Sequence, residues 1–406
     1  MNRITLGIIK EGKFPPDFRV PLTPRQCKTV QILYPDVKIF VQRSPIRTYK
    51  DFEYEIEGIE LVDSLENCDI ILGVKEVNID DLIPHKTYIF FSHTIKKQPH
   101  NQKLLRAILD KKIRLIDYEL IKDKFSKRLI GFGRYAGIVG TYNGFLTWGL
   151  KTNSFVLKPA HLCENRQEVE AELKKVVLPN NFKCILTGFG RVGHGAREVI
   201  DLLRIKEITP DELFTIDYNE PVFAHLELED YFGRKDGKEF NKQEFYSFPE
   251  LYKSIFSKFI SCVDMYIPCH FWSEKSPLII TKEDLKQSNR RLSLVADISC
   301  DVNGPIASTI RSSTIGDSIY GYDPQSGRET DFRNENAIAV MAVDNLPCEL
   351  HRDASEDFGN ELMKYLLPAL LRDDPDRIID RASETDLLGN LTENYRYLTD
   401  YANGVI

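Results

Sequence analysis

Residues 88–123 read YIFFSHTIKKQPHNQKLLRAILDKKIRLIDYELIKD. An apolar run, YIFF, ends in Ser92, His93, Lys96, Lys97 and Gln98. An amphipathic helical stretch follows, and a second apolar run, IRLI, ends in Asp117 and Glu119. Short apolar runs separated by helix-period segments are the mark of a mostly parallel sheet. In open sheets of that kind, ligands bind outside the carboxyl ends of the strands. A third run, IILGV at 70–74, ends the same way in Lys75 and Glu76. Three strands therefore deliver lysine, glutamate, histidine and glutamine side chains to one rim, which suits a polar, charged small molecule.

The same alternation extends outward. ITLGII and KIFVQ read as strands, and TPRQCKTVQIL reads as a helix with Thr23 as N-cap and Pro24 at its first position. Residues 131–150, GFGRYAGIVGTYNGFLTWGL, are rich in small residues and predict a close-packed helix bridging two domains. A second α/β unit begins near residue 183, with LFTIDY, KFISCVDMYIP and RLSLVADISC as its later strands. Residues 225–257 have weak periodicity and give no clear elements. The fold class is α/β. Residues 1–135 with 335–406 are expected to form the substrate domain, and 136–334 the dinucleotide-binding domain.

Bulk composition narrows the function. A chain of 406 residues suggests two or three domains. The formal net charge of −7 lacks the basic footprint of a nucleic-acid binder. No apolar run is long enough to span a bilayer, and the N-terminus enters a strand at once, leaving no room for a targeting peptide. The eight cysteines form no C-x-x-C pair, so a zinc site or redox motif is not expected, and free thiols in a reducing cytoplasm are. The expected partners are small molecules, not nucleic acid or membrane; a homo-oligomer is compatible with all of this.

Gly188, Gly190 and Gly193 form G-x-G-x-x-G between the apolar run CILT and a helical stretch. That context makes the motif a dinucleotide site: glycines permit the tight turn and the close backbone approach, and the helix that opens at Arg191 and Val192 presents its N-terminus to a pyrophosphate. Asp217, at the end of the expected strand LFTIDY, is placed to accept from a ribose 2′-OH and so favours NAD. Arg191 could instead meet a 2′-phosphate, so NAD and NADP both remain open.

Lys75 and His93 titrate on either side of neutral pH and are readily shifted by their surroundings. A desolvated Lys75 can serve as general base and His93 as general acid. Glu76 and Glu119 can tune that lysine or hold a substrate ammonium. Arg19 and Arg128 can clamp carboxylates bidentately. Asp297 and Asp301 flank the end of VADISC, and Asp344-Asn345-Leu346-Pro347 follows another apolar run. Both groups lie at carboxyl-end rims, and both also fit plain turn and cap chemistry.

The stretches FRVPLTP at 18–24, ILGVKE at 71–76, KTYIFFSHTIKKQ at 86–98, IRLIDYELIKD at 113–123, RLIGFGRYAGIVG at 128–140, ADISCD at 296–301 and VDNLPCELHRDASEDFG at 343–359 resemble the lysine-forming saccharopine dehydrogenases. They are most similar to the lysine–2-oxoglutarate reductase domain of bifunctional lysine-degrading enzymes. More distantly, the order of parts resembles alanine dehydrogenase and the transhydrogenase α subunit. The resemblance implies two Rossmann-like domains with parallel sheets and the cofactor in an interdomain cleft. It implies Lys75 and His93 as the acid–base pair, Lys96 and Gln98 as substrate contacts, Arg19 and Arg128 as carboxylate ligands, and Glu119 as a group that positions the amino acid or tunes Lys75. It places Asp301 at the nicotinamide ribose, with Asn345 on the same cofactor rim. The bifunctional enzymes usually carry Pro where this chain has His351, and they continue into a second dehydrogenase domain that is not expected here. Reductase domains of that kind use NADPH, whereas Asp217 favours NADH.

The activity expected is that of an NAD(P)-dependent oxidoreductase that condenses lysine with 2-oxoglutarate and reduces the imine to saccharopine. The alternatives are an alanine-dehydrogenase-like enzyme that uses ammonia and a small 2-oxo acid, and a nucleotide-binding sensor without chemistry.

Overall fold

A computed structural model describes residues 4–405. The chain divides into two compact units, Met1–Phe132 with His351–Ile406, and Gly133–Leu350.

The first unit is built on a six-stranded parallel sheet: β1 (Ile4–Ile8), β2 (Val37–Gln42), β3 (Glu60–Val62), β4 (Ile70–Leu72), β5 (Thr87–Phe90) and β6 (Arg114–Asp117), in the order β3-β2-β1-β4-β5-β6. This is the doubly wound order, which reverses direction between β1 and β4. Helix α1 (Pro24–Leu33) starts as expected, with the Thr23 hydroxyl accepting from Gln26 N and the Gln26 side chain answering the Thr23 N–H. Helices α2 (Asp51–Ile56) and α3 (Pro99–Asp110) complete the crossovers. The returning chain enters as helix His351–Glu361, whose Phe358 joins Leu6, Ile39 and Val30 in one apolar core. Farther on, Glu384 N donates to Leu115 O, and Ser383 bridges Ile116, so the tail covers the edge of β6.

The second unit holds an eight-stranded sheet and a two-stranded ribbon. Its strands are β7 (Lys183–Thr187), β8 (Lys206–Glu207), β9 (Val222–Leu226), β10 (Phe232–Arg234), β11 (Tyr252–Ser254), β12 (Met265–Pro268), β13 (Leu294–Ala296), β14 (Ile319–Asp323), β15 (Arg328–Thr330) and β16 (Ile338–Met341). The large sheet runs β15-β14-β16-β13-β12-β7-β9-β8, parallel except at β14 and β15; β10 and β11 pair antiparallel inside the stretch that sequence periodicity could not resolve. Helix α4 (Gly133–Thr152) opens this unit, followed by α5 (Arg166–Leu173) and α6 (Arg191–Leu202). Gly137 of α4 and Gly195 of α6 let these two backbones touch. A Cβ on Gly137 would lie 1.9 Å from Val192 O, and one on Gly195 would lie 1.9 Å from Arg134 O.

Two expectations are corrected. The first unit resumes at His351, not at 335, because Ile338–Met341 pairs with β13 and β14 and so belongs to the second sheet. LFTIDY is not a strand: Glu212–Thr215 is a short helix, and the strand beside β7 is Val222–Leu226. The expected run was apolar enough, but the segment VFAHL is the one that is buried. Among the described residues no helix is long and apolar enough to cross a membrane, and all eight cysteines are free thiols.

Candidate active site

In the first unit the chain leaves β1 and β4 at the point where strand order reverses. Glu11 lies beyond β1, and Lys75 and Glu76 lie beyond β4. Glu11 accepts from Val74 N at 2.7 Å and from Lys75 N at 2.9 Å, which ties the two strand ends together. Burial pushes the Glu11 carboxyl up to about 8, and Asp17 adds to the effect against those two hydrogen bonds. Asp17 holds Arg19 through Nε at 3.0 Å and Nη2 at 2.6 Å, with both side chains only 2% exposed; the guanidinium also lies 4.1 Å above the Phe132 ring. Burial would raise Asp17, but Arg19 holds it well below the usual carboxylate range.

Burial lowers the pKa of Lys75, and the charges of Arg19 and Lys13 act in the same direction, against Asp17 and Glu76. A lysine so placed yields its proton more easily than one in water, as a general base must. Glu76 divides its oxygens: Oε1 pairs with His93 Nδ1 at 2.5 Å, and Oε2 accepts from Lys13 Nζ at 3.0 Å. Burial would raise Glu76, yet its partners His93 and Lys13 bring it down to about 2. His93 has a left-handed backbone, φ 56°, uncommon for a side-chain-bearing residue, and its ring stacks on Phe91 at 6.3 Å.

Glu119, after β6, meets Lys96 Nζ at 3.3 Å and Arg128 Nη1 at 3.4 Å through the same oxygen. Burial would raise its pKa, and Lys96, Arg128 and His93 together hold it below the ordinary value. Arg128 also lies 5.4 Å from the Phe91 ring. Glu76 thus pairs with His93, Glu119 joins Lys96 to Arg128, and charge alone couples Lys75 to Glu76 and His93 to Glu119. Gln98 stands apart: exposed, at the N-cap of α3, with no side-chain capping bond. Glu11, Lys13 and Asp17 complete the network and were missed in the sequence. They lie in a loop, EGKFPPD, that carries no periodic signal, and only the sheet order brings it beside Lys75.

In the second unit the order reverses between β7 and β12, and the glycine loop leaves β7 at that point. Gly188 has φ 94°, and a Cβ there would lie 2.5 Å from Cys269 O; a Cβ on Gly193 would lie 1.8 Å from Gly188 O. Beside Gly190 there is open space within 4 Å, so a phosphate can come up to the backbone at that position. Arg191 and Val192 begin α6, whose first turn carries no acid. The loop therefore fits a pyrophosphate by shape and by dipole.

Asp217 does not occupy the position expected of it. It is exposed and lies before β9, not at its end. The acid that follows β9 is Glu227, also exposed. Asp297 is buried and accepts from Ser299 Oγ, Cys300 N and Thr309 Oγ1, so it holds the loop after β13 in place. Asp301 is half-buried on that loop; burial and then Asp297 raise its pKa. Asn345 follows β16, and its carbonyl accepts from Cys348 N.

Residues 7–139 match the family described as alanine dehydrogenase/PNT, N-terminal domain. The alpha-aminoadipic semialdehyde synthase of Arabidopsis thaliana is 30% identical over 404 residues, which cover 89% of this chain and 38% of that protein. This chain thus spans less than half the length of that relative. A saccharopine dehydrogenase (NAD(+), L-lysine-forming) of Candida albicans is 28% identical over 394 residues, covering 88% of this chain and 90% of that one. Among solved structures, an L-alanine dehydrogenase superposes with a TM-score of 0.66 at 14% identity, covering 99% of this chain and 100% of the other. Its likeness supports a fold of Rossmann-like α/β domains.

Proposed function

From a chain related over most of its length to saccharopine dehydrogenase and alpha-aminoadipic semialdehyde synthase, we propose an NAD(P)-dependent oxidoreductase that joins lysine to 2-oxoglutarate and reduces the resulting imine to saccharopine. The observation that carries this reading is the half-buried Lys75 with a lowered pKa, next in sequence to a Glu76 that is shared between His93 and Lys13. A lysine whose pKa is lowered can take up a proton as a general base, and the histidine held by Glu76 can deliver one.

The neutral Lys75 amine takes a proton from the ε-ammonium of substrate lysine. The freed amine adds to the keto carbon. Lys75 returns that proton to the new alkoxide oxygen and takes one back from nitrogen, and His93 protonates the resulting hydroxyl, so water leaves and a protonated C=N bond forms. A reduced nicotinamide, when bound, would supply the hydride for that carbon, which leaves the nitrogen as a secondary amine. Arg128 and Lys96 offer charge to the carboxylates of the substrates, and Glu119 holds both in register, whereas Arg19 is buried against Asp17 and its charge bears on Lys75. Gly188, Gly190 and Gly193 with the start of α6 would hold the cofactor pyrophosphate, with Asp301 and Asn345 on the nicotinamide side. The exposed Glu227 beyond β9 favours NADH; Arg191 in the loop is the residue that would admit NADPH. Free thiols throughout agree with a reducing, cytoplasmic setting.

An alanine-dehydrogenase-like reaction of ammonia with a small 2-oxo acid is the second reading, favoured by the family match at residues 7–139. The deciding experiment follows nicotinamide oxidation with lysine plus 2-oxoglutarate and with ammonia plus pyruvate, each with NADH and NADPH. The proposal expects turnover only with the first pair. Turnover with ammonia and pyruvate, unaffected by Arg128→Met, would replace it with the second reading. Cofactor binding without turnover on any pair would leave a sensor.

A further inference from the structure

Behind the His93 loop lies a buried pair of carboxylates that the proposed chemistry does not use. Asp117, at the end of β6, and Glu384, from the returning tail, are both fully buried, and among the described residues neither has an ion-pair partner. Asp117 Oδ2 accepts from Ser92 N at 2.8 Å and His93 N at 3.2 Å, and Oδ1 accepts from Glu119 N at 2.7 Å. One carboxylate therefore sets the backbone of two residues of the site, one beyond β5 and one beyond β6.

A chain of oxygens connects the two acids. Glu384 Oε2 lies 2.6 Å from Thr94 Oγ1, Thr94 Oγ1 lies 2.7 Å from Ser92 Oγ, and Ser92 Oγ lies 2.5 Å from Asp117 Oδ2. Ser92 Oγ also lies 3.2 Å from Glu384 Oε1 and can share its proton there, but the three short contacts each need a proton of their own, and the two hydroxyls supply only two. The third must sit on a carboxyl. Three N–H donors point at Asp117 and stabilise its anion, whereas Glu384 receives none from the backbone in the described bonds, so the proton belongs to Glu384.

We propose that Asp117, as an anion, is the positioning residue of the His93 loop, and that Glu384 closes the same hydrogen-bond chain as a neutral carboxylic acid. Burial raises the pKa of both carboxyls, which favours one shared proton between them, and the three N–H donors on Asp117 decide that it rests on Glu384. Among the described residues, Glu119, Tyr118, Tyr395, Tyr397 and Tyr401 act on the pair and all are acids, while His93 meets Asp117 through its backbone N–H and its ring pairs with Glu76. The catalytic part of this inference rests on the reading of His93 given above; the placement of the proton does not.

Infrared spectroscopy of the full chain near neutral pH tests the proton. The wild type is expected to show the carbonyl stretch of a neutral carboxylic acid, reduced in Glu384→Gln. No reduction in that variant overturns the assignment. Ser92→Ala cuts the oxygen chain yet keeps every N–H bond to Asp117, and it is expected to move the pH at which the Glu384 band disappears; an unmoved midpoint overturns the shared chain. Kinetics test the positioning. Asp117→Asn is expected to lower kcat about 10- to 100-fold and to displace the pH profile, with the cofactor Kd and the circular dichroism spectrum unchanged. Glu384→Gln, which keeps a neutral donor, is expected to lower kcat far less. Equal losses in the two variants, or an undisplaced profile in Asp117→Asn, overturn the positioning role. A wild type without turnover refutes the reaction itself, and the infrared result still decides where the proton lies.

Discussion

At residue 75 the proposed chemistry depends on a balance of opposing charges. Burial, Arg19 and Lys13 press the lysine toward its neutral form, while Asp17 and Glu76 restrain it. Removing Glu76 removes a restraint, so Lys75 should deprotonate at lower pH. The kcat/KM profile of Glu76→Gln should therefore carry its ascending limb to lower pH than the wild type, and a limb that moves to higher pH would contradict the role of Lys75. Lys75→Met should cost about 10²- to 10⁴-fold in kcat, the usual worth of a general base, while leaving the cofactor Kd intact. These residues were legible because each ends a recognisable strand. Lys13 and Glu11 were not, since nothing local marks a residue whose partner is more than sixty positions away across the β1–β4 reversal.

Among the elements, the glycine loop and α1 carry their signals locally, in the G-x-G-x-x-G spacing and the Thr-Pro-x-Gln start, and both form where expected. LFTIDY fails because alternation of apolar residues cannot say which of two neighbouring runs pairs with β7; the neighbours of VFAHL in the sheet decide that. With this shift the acid proposed for the cofactor ribose becomes Glu227, and Asp217→Ala should leave the preference between NADH and NADPH unchanged while Glu227→Ala relaxes it. Titration of both cofactors against each variant checks this. Gly193→Ala would drive a methyl into Gly188 O, and overpacking of that kind costs about 1–3 kcal/mol. The expected readouts are a lower Tm and loss of cofactor binding, with a circular dichroism spectrum still near native at low temperature.

For the whole molecule, two α/β units were legible from periodicity, but the point of return was not. An apolar strand such as Ile338–Met341 reads the same whichever sheet it joins. Buried acids also set how the fold responds to pH. Glu11 has its pKa raised from 4.5 to about 8, so the folded state binds more protons than the unfolded chain across that window. Stability from this group is full below about 4.5 and lost as pH rises through about 8, and Glu384 acts in the same direction. Tm should fall from mildly acidic to mildly alkaline pH, and Glu384→Gln should flatten that slope. A Tm that rises over the same range would contradict the burial of these carboxyls.

The most direct test of the proposed reaction supplies lysine labelled at its ε-nitrogen, 2-oxoglutarate and reduced nicotinamide carrying deuterium at its transferable position, and weighs the product. The account predicts one molecule that holds the labelled nitrogen as a secondary amine and deuterium on the adjoining carbon that began as the keto carbon. Deuterium in a product that contains no lysine, whether a 2-hydroxy acid or a simple 2-amino acid, would contradict it.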